Sequence, residues 1–229
     1  MGKIALLGAM VEEIEPILAK VENINEISYA NNTFYEATYK GKEVVIAYSK
    51  IGKVFSTLTA TLLIEKFGCE TLLFSGVAGG ISSELSIGDL IIADGLCQHD
   101  LDITAFGHPY GYVPEGEVCI PTDIKLREIA KEVARTKGMT LKEGVIATGD
   151  QFVACNEKKG WIEETFKADA LEMEGASVAV VCHALNIPFF ILRAISDTAD
   201  MDAGFDFDTF LASSAKVSAD FILEMVERV

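Results

Sequence analysis

Short apolar runs alternate with amphipathic stretches along most of this chain. Lys3 to Gly8 is an apolar run closing on glycine, and Val11 to Val21 then places apolar residues at 14, 17, 18 and 21, the spacing of one helix face. That pattern predicts a strand, a tight turn and a helix. Thr33 to Tyr39 and Glu43 to Tyr48 are aromatic and β-branched runs on either side of Lys40-Gly41-Lys42, which predicts a hairpin. Lys53 to Phe67 reads as a helix stopped by Gly68. Further strands are predicted at Thr71 to Ser75, Asp89 to Ala93, Gly144 to Thr148, Ala170 to Met173 and Phe189 to Ala194. Thr122 to Lys137 has the pattern of an amphipathic helix with Thr122 as N-cap and Gly138 behind it. Ala176 to Leu185 reads as a short buried helix. A final helix from about Asp206 carries Phe207, Phe210, Leu211, Phe221, Ile222, Met225 and Val229 on one stripe.

Such alternation implies an α/β fold, a single-domain three-layer sandwich with a mostly parallel or mixed sheet covered by helices on both faces. No repeat, linker or shift in composition divides residues 1–229, so one domain is expected. The one long irregular stretch, Cys97 to Pro121, holds two of the three histidines and several aromatics. Loops of that length in a compact domain are functional or lie in an interface.

Charge narrows the partners. With 35 acidic and 19 basic side chains the net charge is -16, which repels nucleic-acid backbones and anionic lipid surfaces alike. Half the residues are hydrophobic and the mean hydropathy is +0.30, which fits a thoroughly buried sheet or a large subunit interface. The longest uncharged run, Gly175 to Leu192, reaches the lower length limit of a membrane helix, roughly 17 residues. Asn186 and Pro188 break it, so it reads as helix, turn and strand. Ile4 to Met10 is too short for a signal-peptide core and runs into Glu12, Glu13 and Glu15; a myristoyl signal at Gly2 fails because Leu6 stands where Ser or Thr is needed. Five cysteines, an odd number without a CxxC pair or a metal-ligand spacing, read as reduced thiols of a cytoplasmic protein that binds no metal.

In an open α/β sheet, ligands gather outside the carboxyl ends of the strands. The first strand delivers Gly8-Ala9-Met10 and then Glu12-Glu13, acids that can equally serve the dipole of a first helical turn. Thr71 to Ser75 delivers Gly76-Val77-Ala78-Gly79-Gly80, which lacks the GxGxxG spacing of a dinucleotide fingerprint and predicts a tight turn or a backbone approached closely by something else. Glu172 and Glu174 stand two apart in an apolar setting, where a strand would point both to one face and where burial is costly without a ligand or cation. Arg193 interrupts a buried run and can salt-bridge one of them; Ser196-Asp197 closes that run. Asp150-Gln151-Phe152 follows another strand end. Glu13, Glu174 and Asp197 with the aromatic Phe152 and a glycine-lined floor suit a neutral polar ligand with a flat part. Paired acids of this kind suit hydrolysis through an oxocarbenium-like transition state.

Seven blocks now carry a resemblance: Lys3-Ile4 through Glu12-Glu13, Ser49 to Val54, Ser75 to Gly80, His99-Asp100 with Thr104 to Gly107, Thr148 to Phe152, Glu172 to Ala176, and Arg193 to Asp197. In order and spacing, over essentially the whole chain, they resemble the 5′-methylthioadenosine/S-adenosylhomocysteine nucleosidases of the nucleoside phosphorylase superfamily. The resemblance implies a homodimeric N-ribosyl hydrolase with a central mixed twisted sheet flanked by helices, and no cofactor. It implies Asp197 as the acid that protonates adenine N7, helped by neighbours such as Ser196 and Arg193, and Glu13 as the base that activates water. Glu174, with Glu172 beside it, would serve the ribose hydroxyls and Met173 the sugar face. Phe152 would stack on adenine above the Gly79 loop while the main chain of Val153 bonds its edge. Met10, Ile51 and Phe207 would line a 5′-alkylthio pocket, into which Ile103, Phe106 and Pro114 of loop 97–121 reach from the partner subunit.

Val77 stands where many family members carry serine, and His108-Pro109 occupies a 5′-pocket loop where others differ, so methylthio, homocysteinyl, 5′-deoxy and aminodeoxyfutalosine substrates all stay open. A phosphate-dependent purine nucleoside phosphorylase is the rival enzyme, but it needs a phosphate-binding arginine where Gly8 to Glu13 is acidic. A nucleoside-binding module without catalysis is the rival of another class, and an oxidoreductase lacks its fingerprint.

Overall fold

The computed structural model describes residues 2–199 and 203–229. Their elements run β1 (Lys3–Gly8), α1 (Val11–Leu18), β2 (Glu22–Tyr29), β3 (Asn32–Tyr39), β4 (Lys42–Tyr48), α2 (Lys53–Glu65), β5 (Cys69–Gly80) and β6 (Leu90–Gln98). They continue with β7 (Cys119–Pro121), α3 (Ile124–Lys137), β8 (Leu141–Thr148), α4 (Asn156–Phe166), β9 (Ala168–Glu172), α5 (Gly175–Ala184), β10 (Phe189–Asp197) and α6 (Ala203–Val226).

All ten strands belong to one mixed sheet. β10 pairs in parallel with β5 and antiparallel with β6, while the ladder runs on from β6 through β8 and β9 back to β5, so five strands close into a ring. From β5 the sheet extends through β1, β4 and β3 to β2, and β7 hangs on β6. Closure leaves the central strands without exposed edges, which suits their uniformly apolar sequences.

The central strands are buried on both faces, and their period-two geometry sends alternate side chains to two cores. In β1, Ala5 and Leu7 join the core beneath α2 and α5, whereas Ile4 and Leu6 join the one beneath α1, α3 and α6. β10 divides in the same way, with Phe189 and Ile191 against Phe190 and Leu192. A smaller third cluster lies under Ile162 and Phe166 of α4. This is the three-layer arrangement expected from the apolar pattern.

Several local expectations change. The Gly76 to Gly80 run is strand, not turn: β5 continues through it and pairs with β10 and β9. The strand predicted at Asp89 to Ala93 runs on to Gln98 across a bulge between Ala93 and Gly95. α1 stops at Leu18, and β2 follows, unforeseen because its side chains are almost all exposed and it offers no apolar alternation. α4 was equally silent in the polar run Asn156 to Phe166. Asp123, not Thr122, caps α3 by accepting from Leu126 N at 2.9 Å; the Thr122 hydroxyl instead donates to the Ala93 carbonyl and ties the helix start to β6. Within Cys97 to Pro121 the end of β6, a 3₁₀ turn at Thr104–Phe106, and β7 are regular. Gly175 to Leu192 divides into α5, a turn and β10, and among the described residues no helix is long and apolar enough to cross a membrane.

Candidate active site

The carboxyl ends of β1, β5, β9 and β10 open into one cleft. Three carboxylates from distant parts of the sequence converge on it. Glu13 comes from the first turn of α1 and is 2% exposed. One of its oxygens accepts from Ala9 N at 2.5 Å and Met10 N at 3.1 Å; the other accepts from Val77 N at 2.9 Å on β5. Burial pushes this carboxyl above the ordinary range, against the pull of Arg193 and the three N–H groups. The glycine at 76 now has a reason: a Cβ there would lie 2.6 Å from Glu13 Oε1.

Asp197 ends β10. It accepts from Ser196 Oγ at 3.0 Å and from Ala199 N at 2.9 Å, and a Cβ on Gly79 would lie 2.7 Å from its Oδ1. The glycine-rich end of β5 is thus a strand stripped of side chains so that two carboxylates can lie against it.

Glu172 and Glu174, expected on one face of a strand, separate. β9 ends at Glu172 and Glu174 is the N-cap of α5, where the pleat no longer holds. Glu172 turns inward: its oxygens accept from Thr148 Oγ1 at 2.5 Å, Gly175 N at 2.7 and 2.9 Å, and Arg193 at 2.7 Å. Arg193, 1% exposed, also donates to the Leu192 carbonyl at 3.0 Å and lies 4.0 Å above the Phe74 ring. The salt bridge foreseen for Arg193 therefore exists, and it is with Glu172. Glu174 faces the cleft and accepts from Gly52 N at 2.8 Å, a glycine held at φ 99° before α2. Burial, with the charge of Glu172 second, raises Glu174 to about 8.

The remaining wall is apolar. Phe152 stands half exposed at the mouth, edge-on to Phe207 with centroids 5.8 Å apart, and Met10, Ile51, Val153 and Met173 complete it. Gly79, Glu172 and Ser196 also border the cleft. Four sequence candidates do not line it within the protomer. Arg193 lies behind Glu172, bonded away from Asp197; Ile103, Phe106 and Pro114 sit on the long loop, with Phe106 81% exposed. Ala9, Val77, Ala78, Gln151 and Leu171 line the cleft without having been proposed as contacts. Their signal was proximity in sequence: Ala9, Ala78, Gln151 and Leu171 each abut a chosen residue, and Val77 stands two before Gly79. No lysine, arginine or histidine appears among the described lining residues. The site can therefore supply a proton, a base and hydroxyl acceptors to a neutral ligand, and it offers no cation for an anion.

The chain belongs to the phosphorylase superfamily, whose profile matches residues 3–227. An aminodeoxyfutalosine nucleosidase from Campylobacter jejuni is 58% identical over 229 residues, covering 100% of both chains. A 5′-methylthioadenosine/S-adenosylhomocysteine nucleosidase from Actinobacillus succinogenes is 36% identical over 98% of each. Among solved structures, a futalosine hydrolase mutant of Helicobacter pylori superposes with a TM-score of 0.98 at 50% identity over 100% of both chains. A putative 5′-methylthioadenosine/S-adenosylhomocysteine nucleosidase from Francisella philomiragia gives the same TM-score at 55% identity and the same coverage.

Proposed function

We propose that this protein hydrolyses the N-glycosidic bond of 5′-substituted adenosines, releasing adenine and the free ribose product. The observation that carries this reading is the convergence of Glu13, Glu174 and Asp197 on an apolar cleft with no basic side chain among its described lining. Water is the nucleophile such a site can activate, whereas phosphorolysis needs a cation for phosphate. In this mechanism Asp197 donates its proton to N7, so adenine leaves neutral. Glu13 takes a proton from water as oxygen attacks C1′. Glu174 binds the ribose hydroxyls, and its carboxylate form stabilises positive charge growing on the ring. The buried Glu172–Arg193 pair holds the start of α5, and so Glu174, in place. Phe152 stacks on the base, Val153 bonds its edge, and Met10, Ile51, Met173 and Phe207 take the sugar and the 5′ group.

The substrates are 5′-methylthioadenosine, S-adenosylhomocysteine and 6-amino-6-deoxyfutalosine, the last favoured by the higher identity to the Campylobacter jejuni relative. The same reading takes 1–229 as one domain in a cytoplasmic homodimer, with loop 97–121 at the interface. Phe106 and the apolar face of α2, where Val54 is 76% exposed, support such an interface. Adenine release from the three nucleosides, with and without added phosphate, tests the function. Turnover in phosphate-free buffer is the expected result; release only with phosphate would make the protein a phosphorylase.

A further inference from the structure

Two of the five cysteines meet. β6 and β7 run antiparallel with Cys97 directly opposite Cys119. Thr122 N donates to the Asp94 carbonyl at 3.2 Å, which marks that facing pair as hydrogen-bonded. Pairs alternate along an antiparallel ladder, so Leu96–Ile120 is bonded and Gly95–Pro121 and Cys97–Cys119 are not, in keeping with the absent N–H of Pro121. Non-bonded pairs bring Cα atoms to about 4.5 Å and their side chains closest, within the span of roughly 4.4 to 6.8 Å that a disulfide bridges. Both side chains lie on the same face: a Cβ on Gly95 would be 3.5 Å from Cys119 Cβ, and both sulfurs pack in the small core under α4.

We propose that Cys97 and Cys119 form an oxidisable cross-strand dithiol, which hydroperoxides convert to a disulfide that cinches the base of loop 97–121. The other cysteines differ: Cys69 and Cys182 are buried and Cys155 is exposed, none with a facing thiol among the described residues. Cys119 is partly exposed while Cys97 is buried, so Cys119 meets the oxidant first. The two facing thiols interact, which lowers the affinity of Cys119 for its proton and raises that of Cys97. In the first step the Cys119 thiolate attacks a peroxide oxygen, the O–O bond breaks, and sulfenic acid and hydroxide form. In the second, the Cys97 sulfur attacks the Cys119 sulfur; the S–O bond breaks and its oxygen leaves as water, taking the Cys97 proton. Two thiols and one hydrogen peroxide thus give one disulfide and two waters. Thiols kept reduced by the cell make such a bond transient and reversible.

The test treats the native full-length protein with hydrogen peroxide, alkylates remaining thiols after denaturation and maps the peptides by mass spectrometry. A linked Cys97–Cys119 peptide, lighter by two hydrogens and restored by dithiothreitol, with Cys69 and Cys182 still alkylated, is the expected result. Recovery of Cys119 as sulfinic or sulfonic acid beside an alkylatable Cys97 would overturn the proposal. So would oxidation confined to Cys155. In a Cys97→Ala variant, Cys119 is expected to stop at a sulfenic acid that dimedone traps, and failure to trap it would remove the assigned order of steps.

Discussion

Replacing Gly76 by alanine tests the site through its backbone while leaving every proposed catalytic group in the sequence. The added methyl would lie 2.6 Å from Glu13 Oε1 and 3.0 Å from its carboxyl carbon, where ordinary contact begins at 3.4 Å. The carboxylate must therefore retreat by about 0.8 Å, which carries its 2.9 Å bond from Val77 N out of hydrogen-bonding range. A bond to a charged group contributes about 1.5–3 kcal/mol, and a misplacement of about 1 Å in a reacting group costs about 10²-fold in rate. Gly76→Ala should lower kcat about 10²-fold in an adenine-release assay, with a stability loss of about 1.5–3 kcal/mol in urea titration. Gly160→Ala in α4, with nothing within 4 Å of the new Cβ, is the control and should keep full activity. The effect should also vanish in a Glu13→Gln background, since the two changes act on one group. A Gly76→Ala enzyme with kcat within about threefold of wild type would refute the placement of Glu13 as the base.

Other outcomes follow from the same geometry. Asp197→Asn should reduce base release to a residue while retaining nucleoside binding by calorimetry, because the amide has no proton to give; near-normal turnover would remove Asp197 as the acid. Glu174 has its proton affinity raised to about 8, so its contribution to stability is full below the unfolded carboxyl value of 4.5 and is lost as pH rises through about 8. Unfolding of ligand-free protein should show that loss with a slope of at most about 1.4 kcal/mol per pH unit, and Glu174→Gln should flatten it; identical slopes in both proteins would contradict the burial argument. Phe106→Ala removes an 81% exposed ring, so protomer stability should hold while sedimentation and activity report a weakened dimer and 5′ pocket. Unchanged mass and kinetics would take loop 97–121 out of the partner's site.

Much of this was legible in the chain. Short apolar runs such as Ile4 to Leu7, bounded by glycine, fit strands buried on both faces, and the acids at their ends marked the cleft because burying charge in such surroundings is costly without a purpose. Elements whose stability comes from outside their own side chains were silent. β2 is held by main-chain pairing to β3, and α4 buries only Ile162 and Phe166 fully, so neither shows a periodic apolar stripe. The extent of β5 was hidden for a related reason: its glycines look like a turn until the carboxylates that need their space are seen.

The sequence by itself determined the class of fold, the residue types at the strand ends and the absence of a dinucleotide fingerprint, because these depend on local periodicity and composition. Tertiary structure decided which acid does what. Glu172 and Glu174 are chemically alike and two residues apart, yet one meets Arg193, Thr148 and Gly175 N and is fully bound, while the other accepts from Gly52 N at a distant helix start and faces the cleft. A carboxyl group's partners and solvation set its charge and its role, and those arrive from parts of the chain that only folding brings together.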